Sequence, residues 1–168
     1  MRKEQQKKKG FVLTDVLLYV AITALLLLSM VSFTAVMLEG RVKNSVVAEV
    51  EQQGVQVLRI FREEVRGAKQ IISPGRGQSG DSLVLEKEEG VVSFSFDEEK
   101  NSLVMSKGGS NIYLTGGQVG ITEVEFNNLS KNNTPGVVQV QISIFYRTDS
   151  PREIYNYSNN FITSATLR

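Results

Sequence analysis

The chain has 168 residues and contains neither histidine nor cysteine. Its 19 basic and 18 acidic side chains give a formal net charge of +1. The length allows one compact domain plus one further element. The missing residue types exclude imidazole acid–base catalysis, thiol nucleophiles, disulfides, and thiolate or imidazole metal ligands. The composition still allows a catalytic carboxylate pair, a lysine-dependent mechanism or an oxygen-ligated Ca²⁺ site.

Basic residues are concentrated at the start of the chain. Residues 1–9 contain five of them, and the chain after residue 10 has 14 basic and 17 acidic side chains. This negative balance argues against general nucleic-acid affinity in the bulk of the protein.

An apolar run follows the basic residues directly. It occupies residues 11–38 and includes 23 consecutive uncharged residues from Val16 to Leu38. About 20 such residues cross a bilayer core, so we predict a transmembrane helix. The run is too long for a secretory signal peptide. By the positive-inside rule, the flanking lysines place residues 1–10 in the cytoplasm and everything after residue 38 outside.

Helical spacing of apolar residues continues beyond the run and predicts an amphipathic extension over residues 39–73. Gly40 and Gly54 are its expected weak points, and Ser73-Pro74 its expected end. The predicted apolar stripe consists of Val42, Val46, Val50, Val57, Leu58, Phe61 and Val65.

From residue 74 to residue 168 apolar residues recur at every second position instead of at helical spacing. Alternation is clearest at Val92 to Phe96, Val124 to Phe126 and Val138 to Ile144. We expect six or seven short strands in an antiparallel sheet, with the amphipathic half of the helix covering one face. The predicted class is therefore α+β, a long N-terminal helix packed on an antiparallel sheet domain.

Residues 7–15 form the most informative motif. Lys7, Lys8 and Lys9 precede Gly10, Phe11 follows, and Asp15 is an acid at the fifth position after the glycine in an otherwise apolar segment. This pattern resembles the prepilin signal of the type IV pilin-like family. Gly10 lets an extended backbone enter a protease site, while the lysines keep the scissile bond on the cytoplasmic side.

The resemblance implies a processing and assembly pathway. Residues 1–10 would be a leader, cut between Gly10 and Phe11 by a prepilin peptidase, with the new amine of Phe11 methylated. Residues 11–38 would be the transmembrane and filament-core helix, and the whole chain would have the pilin fold. The implied partners are other pilin subunits, membrane lipid, and an inner-membrane assembly platform driven by a cytoplasmic ATPase. The implied protein is a structural subunit without enzymatic activity, cofactor or metal.

Asp15 carries the physical argument for assembly. A carboxylate in an apolar span costs about 2.5–3.5 kcal/mol and calls for a named partner. The family implies that this partner is the N-terminal amine of a neighbouring subunit, so that the pair sets the register of assembly. The commoner family residue is glutamate, one methylene longer. The alternative is a solvated interfacial acid near the helix N-terminus.

The segment from Leu58 to Pro74 and the last residues, Phe161 to Arg168, are similar to J-type pseudopilins and W-type minor pilins. We therefore expect a minor pilin or pseudopilin that primes the tip of a type IV pilus, a type II secretion pseudopilus or a competence pilus. It would be held in the cytoplasmic membrane by a single span before it enters an extracellular or periplasmic filament. Two alternatives stay open: a tip module that binds DNA or a surface, and an unprocessed, signal-anchored extracellular domain.

Three further features favour structural explanations. Acidic residues at 86–89 and 97–99 lack the spacing of a calcium loop, so they are expected at hairpin ends. The basic residues of the helix end, which include Arg59 and Lys69, are interleaved with Glu63 and Glu64 and predict a mixed charged face rather than a phosphate-binding one. The C-terminal aromatic residues are expected to pack on strands rather than to stack on a ligand.

Overall fold

A computed structural model gives the backbone of residues 2–168 and the side chains from residue 13 onward. The side chains of Lys7, Lys8, Lys9, Gly10 and Phe11 therefore lie outside the described residues. The chain divides into two compact units, Met1–Val42 and Lys43–Arg168. We call the second the globular unit.

One helix, α1, spans Arg2–Arg66 and remains unbroken at both Gly40 and Gly54. The prediction that it extends to residue 73 is wrong. After Arg66, the Gly67 N–H still donates to the Glu63 carbonyl, but the Lys69 N–H donates to the carbonyl of Glu86 at 2.7 Å. Backbone hydrogen bonds to another strand thus replace helical ones after Arg66, and the residues that follow form a strand instead of a last helical turn.

Nine strands and a short 3₁₀ helix follow α1. The strands are β1 Gln70–Ser73, β2 Ser79–Gly80, β3 Ser82–Lys87, β4 Gly90–Asp97, β5 Ser102–Lys107, β6 Ser110–Tyr113, β7 Val119–Asn128, β8 Val137–Tyr146 and β9 Ser158–Thr166. The 3₁₀ helix is Glu153–Tyr155. Strand order in the first sheet is β1-β3-β4-β5-β6 and in the second β2-β7-β8-β9, with all pairs antiparallel.

The α+β layout is confirmed, but the arrangement of the strands differs from the expectation of one sheet. Two sheets form, and the short strands β1 and β2 were not predicted. The predicted alternation is confirmed by burial: Val92 and Phe94 in β4 and the apolar positions of β8 from Val138 to Ile144 are buried. Apolar residues at every second position identify the buried positions of a strand, but they carry no information about which strands share a sheet.

The core of the globular unit joins the helix to both sheets. Phe61 of α1 lies 6.2 Å from the ring of Phe94 in the first sheet and 6.2 Å from that of Phe126 in the second. The latter two rings are 6.3 Å apart. The predicted stripe is also confirmed at Val50 and Val65, which have no exposed surface. Burial of a side chain of this size contributes about 1.5–3 kcal/mol.

Gly54 allows α1 to approach β9 closely. A methyl group built at Gly54 would lie only 2.6 Å from Cε1 of Phe161, well inside van der Waals contact. At Gly40 the same construction meets nothing within 4 Å. The two helical glycines therefore differ in role, because only Gly54 makes room for a ring from another element.

We expect Gly54→Ala to destabilise the globular unit by about 1–3 kcal/mol, because the Phe161 ring must shift or the helix must move away from β9. Gly40→Ala is the matched control and should leave the unfolding midpoint unchanged or raise it, since alanine favours helix by about 1 kcal/mol. The measurement is chemical denaturation of the detergent-solubilised protein followed by circular dichroism. Equal effects of the two substitutions would contradict the close-approach explanation.

Candidate functional site

The first candidate site is the apolar part of α1. Every large apolar side chain from Leu13 to Leu38 is at least half exposed, with Ile22 and Met37 the least exposed at 50%. This helix is long and apolar enough to cross a membrane. Soluble proteins rarely expose an apolar surface of this extent, so it needs lipid or another protein to cover it.

Three hydroxyl groups in this segment form hydrogen bonds with the backbone of α1 itself. Thr23, Ser32 and Thr34 each donate a hydrogen bond to the backbone carbonyl four residues earlier, at 2.8, 2.9 and 2.9 Å. A hydroxyl without a partner would cost several kcal/mol in hydrocarbon, roughly 4–8 by transfer to cyclohexane. The helix backbone satisfies these hydroxyls, so they add little to the cost of burying the segment.

Asp15 is the single charged residue in the sequence between Gly10 and Glu39. It lies on α1 within the apolar segment, and its side chain is exposed. Of the predicted site residues, it alone has a described side chain. Pairing with the amine of a second subunit, cleavage after Gly10 and methylation of Phe11 stay predictions.

The second candidate site is a cluster of ions where the end of α1 meets the first sheet. Glu64 Oε2 accepts a hydrogen bond from Lys87 Nζ at 2.5 Å, and Lys107 Nζ lies 3.8 Å from Glu64 Oε1. The side chains of Glu64 and Lys87 are each only 15% exposed. Sequence analysis missed this cluster, although Glu64 lies 18 residues after Val46, five full helical turns, and so shares its buried face.

Three other basic residues of the helix end are engaged with acids or with the backbone. Arg59 pairs with Glu63 at 3.0 Å, and Lys69 pairs with Glu88 at 3.2 Å. Arg62 Nε donates to the carbonyl of Leu58. The prediction of a mixed charged face is confirmed at these contacts. Paired side chains of this kind attract phosphate less than free ones, which weakens the case for a nucleic-acid surface here.

A polar groove of about 470 Å³ lies beside β1 and the start of β8. Its lining includes Lys69, Arg76, Asn128 and Arg168. Lys69 pairs with Glu88, Arg76 donates to Asn132 at 3.1 Å, and the buried Asn128 amide donates to the Pro74 carbonyl. Most of the polar groups therefore have partners within the chain, and the groove has few groups left to bind a ligand.

The C-terminal aromatic residues make contacts within the chain. Tyr146 and Tyr155 stack with ring centroids 6.4 Å apart. Tyr157 Oη donates to Glu51 Oε1 at 2.9 Å, and Asn159 Nδ2 donates to the same oxygen at 2.6 Å. The hydrogen bond to Glu51 raises the pKa of Tyr157 because ionisation would remove it. The contribution of this hydrogen bond to folding stability is complete below the ordinary tyrosine pKa of about 10. It is lost only as the pH rises through the raised pKa of Tyr157.

The acidic hairpin ends have structural contacts. Asp97 accepts a hydrogen bond from the backbone of Lys100 at 3.1 Å, and Glu88 is the partner of Lys69. Among the residues whose side chains are described, no group of three acidic side chains could hold a metal ion.

Comparison with known proteins gave no relationship. No protein-family model, no curated protein and no solved structure matched this chain.

We expect Lys87→Met to destabilise the protein by about 1–3 kcal/mol, because it leaves the largely buried Glu64 carboxylate without its nearest donor. Lys69→Met is the matched control. It removes a lysine whose side chain and partner are 58% and 81% exposed, so its effect should stay below about 0.5 kcal/mol. Urea denaturation measures both, and equal losses would show that the Glu64 cluster has no special role.

Proposed function

We propose that this chain is a type IV pilin-like subunit, a minor pilin or pseudopilin without catalytic activity. The observation that carries the proposal is the apolar segment of α1, whose large side chains are at least half exposed, with a lone carboxylate, Asp15, near its start. In the sequence, this segment directly follows the Lys7, Lys8, Lys9, Gly10, Phe11 motif. A structural subunit uses such a segment twice, first as a membrane anchor and then as a filament core.

The energetics favour a partner for Asp15. An aspartate in a membrane-spanning helix costs about 2.5–3.5 kcal/mol. Two unit charges 4 Å apart attract each other by about 4 kcal/mol at an effective dielectric constant of 20. The N-terminal amine created after Gly10 would attract Asp15 by an energy of the same size as this cost, and both charges must lose water to form the pair. This comparison supports a charge partner for a carboxylate that lies within the apolar span.

The arrangement of elements also supports the proposal. A single long helix followed by antiparallel strands is the layout expected of the pilin fold, with the globular unit outside the membrane. Prepilin peptidase would process the chain, an inner-membrane platform with a cytoplasmic ATPase would extract it, and other pilin subunits would pack against residues 11–38. By its likeness to J-type and W-type proteins, the subunit would prime a filament tip in a pilus, secretion or competence system.

The proposal predicts the mass of the mature protein. We expect the protein extracted from membranes of its host to lack residues 1–10 and to carry about 14 Da of added mass from one methyl group. Gly10→Val should remain uncut, because its side chain occupies the space that glycine leaves free for the backbone to enter the protease site. Intact-mass spectrometry measures both proteins. A native chain that still begins with Met1 would instead support the signal-anchored alternative.

The role of Asp15 is tested separately from cleavage. We expect Asp15→Ala to be cut normally but to enter filaments at least about tenfold less, equivalent to 1.4 kcal/mol per subunit contact. Asp15→Glu is the matched control, since it keeps the charge and should assemble. Quantitative immunoblotting of sheared filament fractions against membrane fractions gives the ratio. Equal incorporation of all three proteins would rule out the charge pair.

A further inference from the structure

The globular unit has two opposite ends, which we call the near end and the far end. At the near end, Glu51 of α1 accepts a hydrogen bond from Tyr157, just before β9. At the far end, Glu64 of α1 pairs with Lys87 of β3. β8 connects the far end to the near end over ten residues, which is roughly 30 Å at about 3.3 Å per residue. Features at the two ends therefore belong to separate surfaces of the chain.

The polar groove beside β1 lies at the far end and is positively charged. Its lining includes Lys69, Arg76 and Arg168, and among the described residues no acidic side chain lines it. The hydrogen bond from Arg76 to the neutral amide of Asn132 occupies a donor but leaves the charge in place. Lys69 pairs with Glu88, but both side chains are more than half exposed, so water and salt weaken this pair. The groove thus has few free donors for a small ligand and still attracts negative charge.

A β-hairpin turn is exposed at the near end. β4 and β5 pair as far as Asp97↔Ser102, so residues 98–101 connect the two strands, and we call them the hairpin tip. Arg147, which follows β8 directly, donates to the carbonyl of Asn101 at 2.9 Å. This contact ties the hairpin tip to the end of the second sheet and holds it in place.

The hairpin tip is negatively charged. Glu98 and Glu99 are exposed, and neither forms an ion pair in the part of the chain whose side chains are described. Lys100 directs its ammonium group to the Tyr113 hydroxyl, to which it donates at 2.8 Å. The two glutamates therefore stand on a projecting turn without a paired cation.

We propose that the hairpin tip of one chain docks into the groove of a second copy, so that copies join head to tail. Glu98 and Glu99 then meet Lys69 of the partner subunit and Arg76 of the partner subunit. The groove volume of about 470 Å³ lies within the roughly 300–1,000 Å³ of pockets that hold small ligands, so two glutamate side chains fit. The groove of a chain is out of reach of its own hairpin tip, because the two lie at opposite ends.

Other acidic side chains of the globular unit suit the groove less well. Several on α1 already accept hydrogen bonds from the same chain, namely Glu49, Glu51 and Glu63. Glu123 and Glu125 are exposed on β7, on a sheet face rather than on a projecting turn. The hairpin tip combines exposure, a projecting shape and two adjacent acids without ion pairs. This complementarity within one chain favours a second copy as the partner.

A head-to-tail contact agrees with the orientation of membrane-held subunits. Because it joins two different surfaces, it repeats from copy to copy without requiring any copy to be reversed, and it produces a ring or an open filament. Repeated a few times, it gives a short run of subunits with which a filament begins. The contact uses only the globular unit, so it does not rest on cleavage after Gly10 or on the charge of Asp15.

Charge reversal tests the contact with the uncut full chain in detergent at low salt. The tip variant, Glu98→Lys with Glu99→Lys, and the groove variant, Lys69→Glu with Arg76→Glu, should each self-associate at least about tenfold more weakly than the original chain, because like charges then meet. An equimolar mixture of the two variants should recover the association, because each tip then finds a groove of opposite charge. Analytical ultracentrifugation gives the dissociation constants.

A control variant separates this contact from a general effect of charge. Glu123→Lys with Glu125→Lys changes the net charge as much as the tip variant does, but on β7, and should leave the association unchanged. Association of the original chain should also weaken between 0.1 M and 1 M salt, since the Debye length falls from about 10 Å to about 3 Å.

Crosslinking identifies the surfaces that meet. The sequence contains no cysteine, so introduced cysteines react without background from the chain itself. Glu99→Cys at the hairpin tip and Thr134→Cys in the groove should form a reducible dimer when the two proteins are mixed and oxidised. Each protein alone should give little dimer, because tip does not meet tip and groove does not meet groove.

Three results would overturn the proposal: an original chain that stays monomeric at low salt, a mixture of tip and groove variants that associates no better than either alone, or Glu99→Cys that crosslinks to itself as well as to Thr134→Cys. None of these results touches the function proposed above. A native chain cut after Gly10 would keep the pilin-like proposal in place and remove only the head-to-tail contact.

Discussion

The contact of Phe61 with both sheets is the interaction on which the globular unit depends. Its ring packs against Phe94 of one sheet and Phe126 of the other, and those two rings also approach each other. Each sheet alone would expose an apolar face, and the helix alone would expose its stripe. Their shared burial makes α1 the element that holds two separate sheets in one core.

Polar contacts on either side of the buried stripe fix the rotation of the helix. Gln53 Oε1 accepts a hydrogen bond from the Gly116 N–H at 2.7 Å, in the connection between the two sheets. Glu51, on the other flank of α1, accepts from Tyr157 and Asn159 next to the C-terminal strand. Apolar packing supplies most of the stability but tolerates small rotations, whereas directional hydrogen bonds do not.

The two parts of α1 therefore differ in their surroundings. Between Val46 and Val65 its apolar side chains are buried by the sheets, whereas from Leu13 to Leu38 they are exposed. The apolar side chains of the first part are covered by the chain itself, whereas those of the second part require lipid or other subunits to cover them. In the exposed part, Thr23, Ser32 and Thr34 bond to their own helix backbone.

The sequence by itself determined the apolar span, the buried stripe of the helix, the α+β class and the alternation of β4, β7 and β8, because periodicity and length are local properties. It also supplied the whole motif around Asp15. Only the tertiary structure decided that α1 ends at Arg66, that the strands divide into two sheets, and that Glu64 pairs with Lys87. Each of these depends on partners distant in the chain: Lys69 leaves the helical path because Glu86 offers it a backbone acceptor. Local patterns do not encode which distant residue will be available.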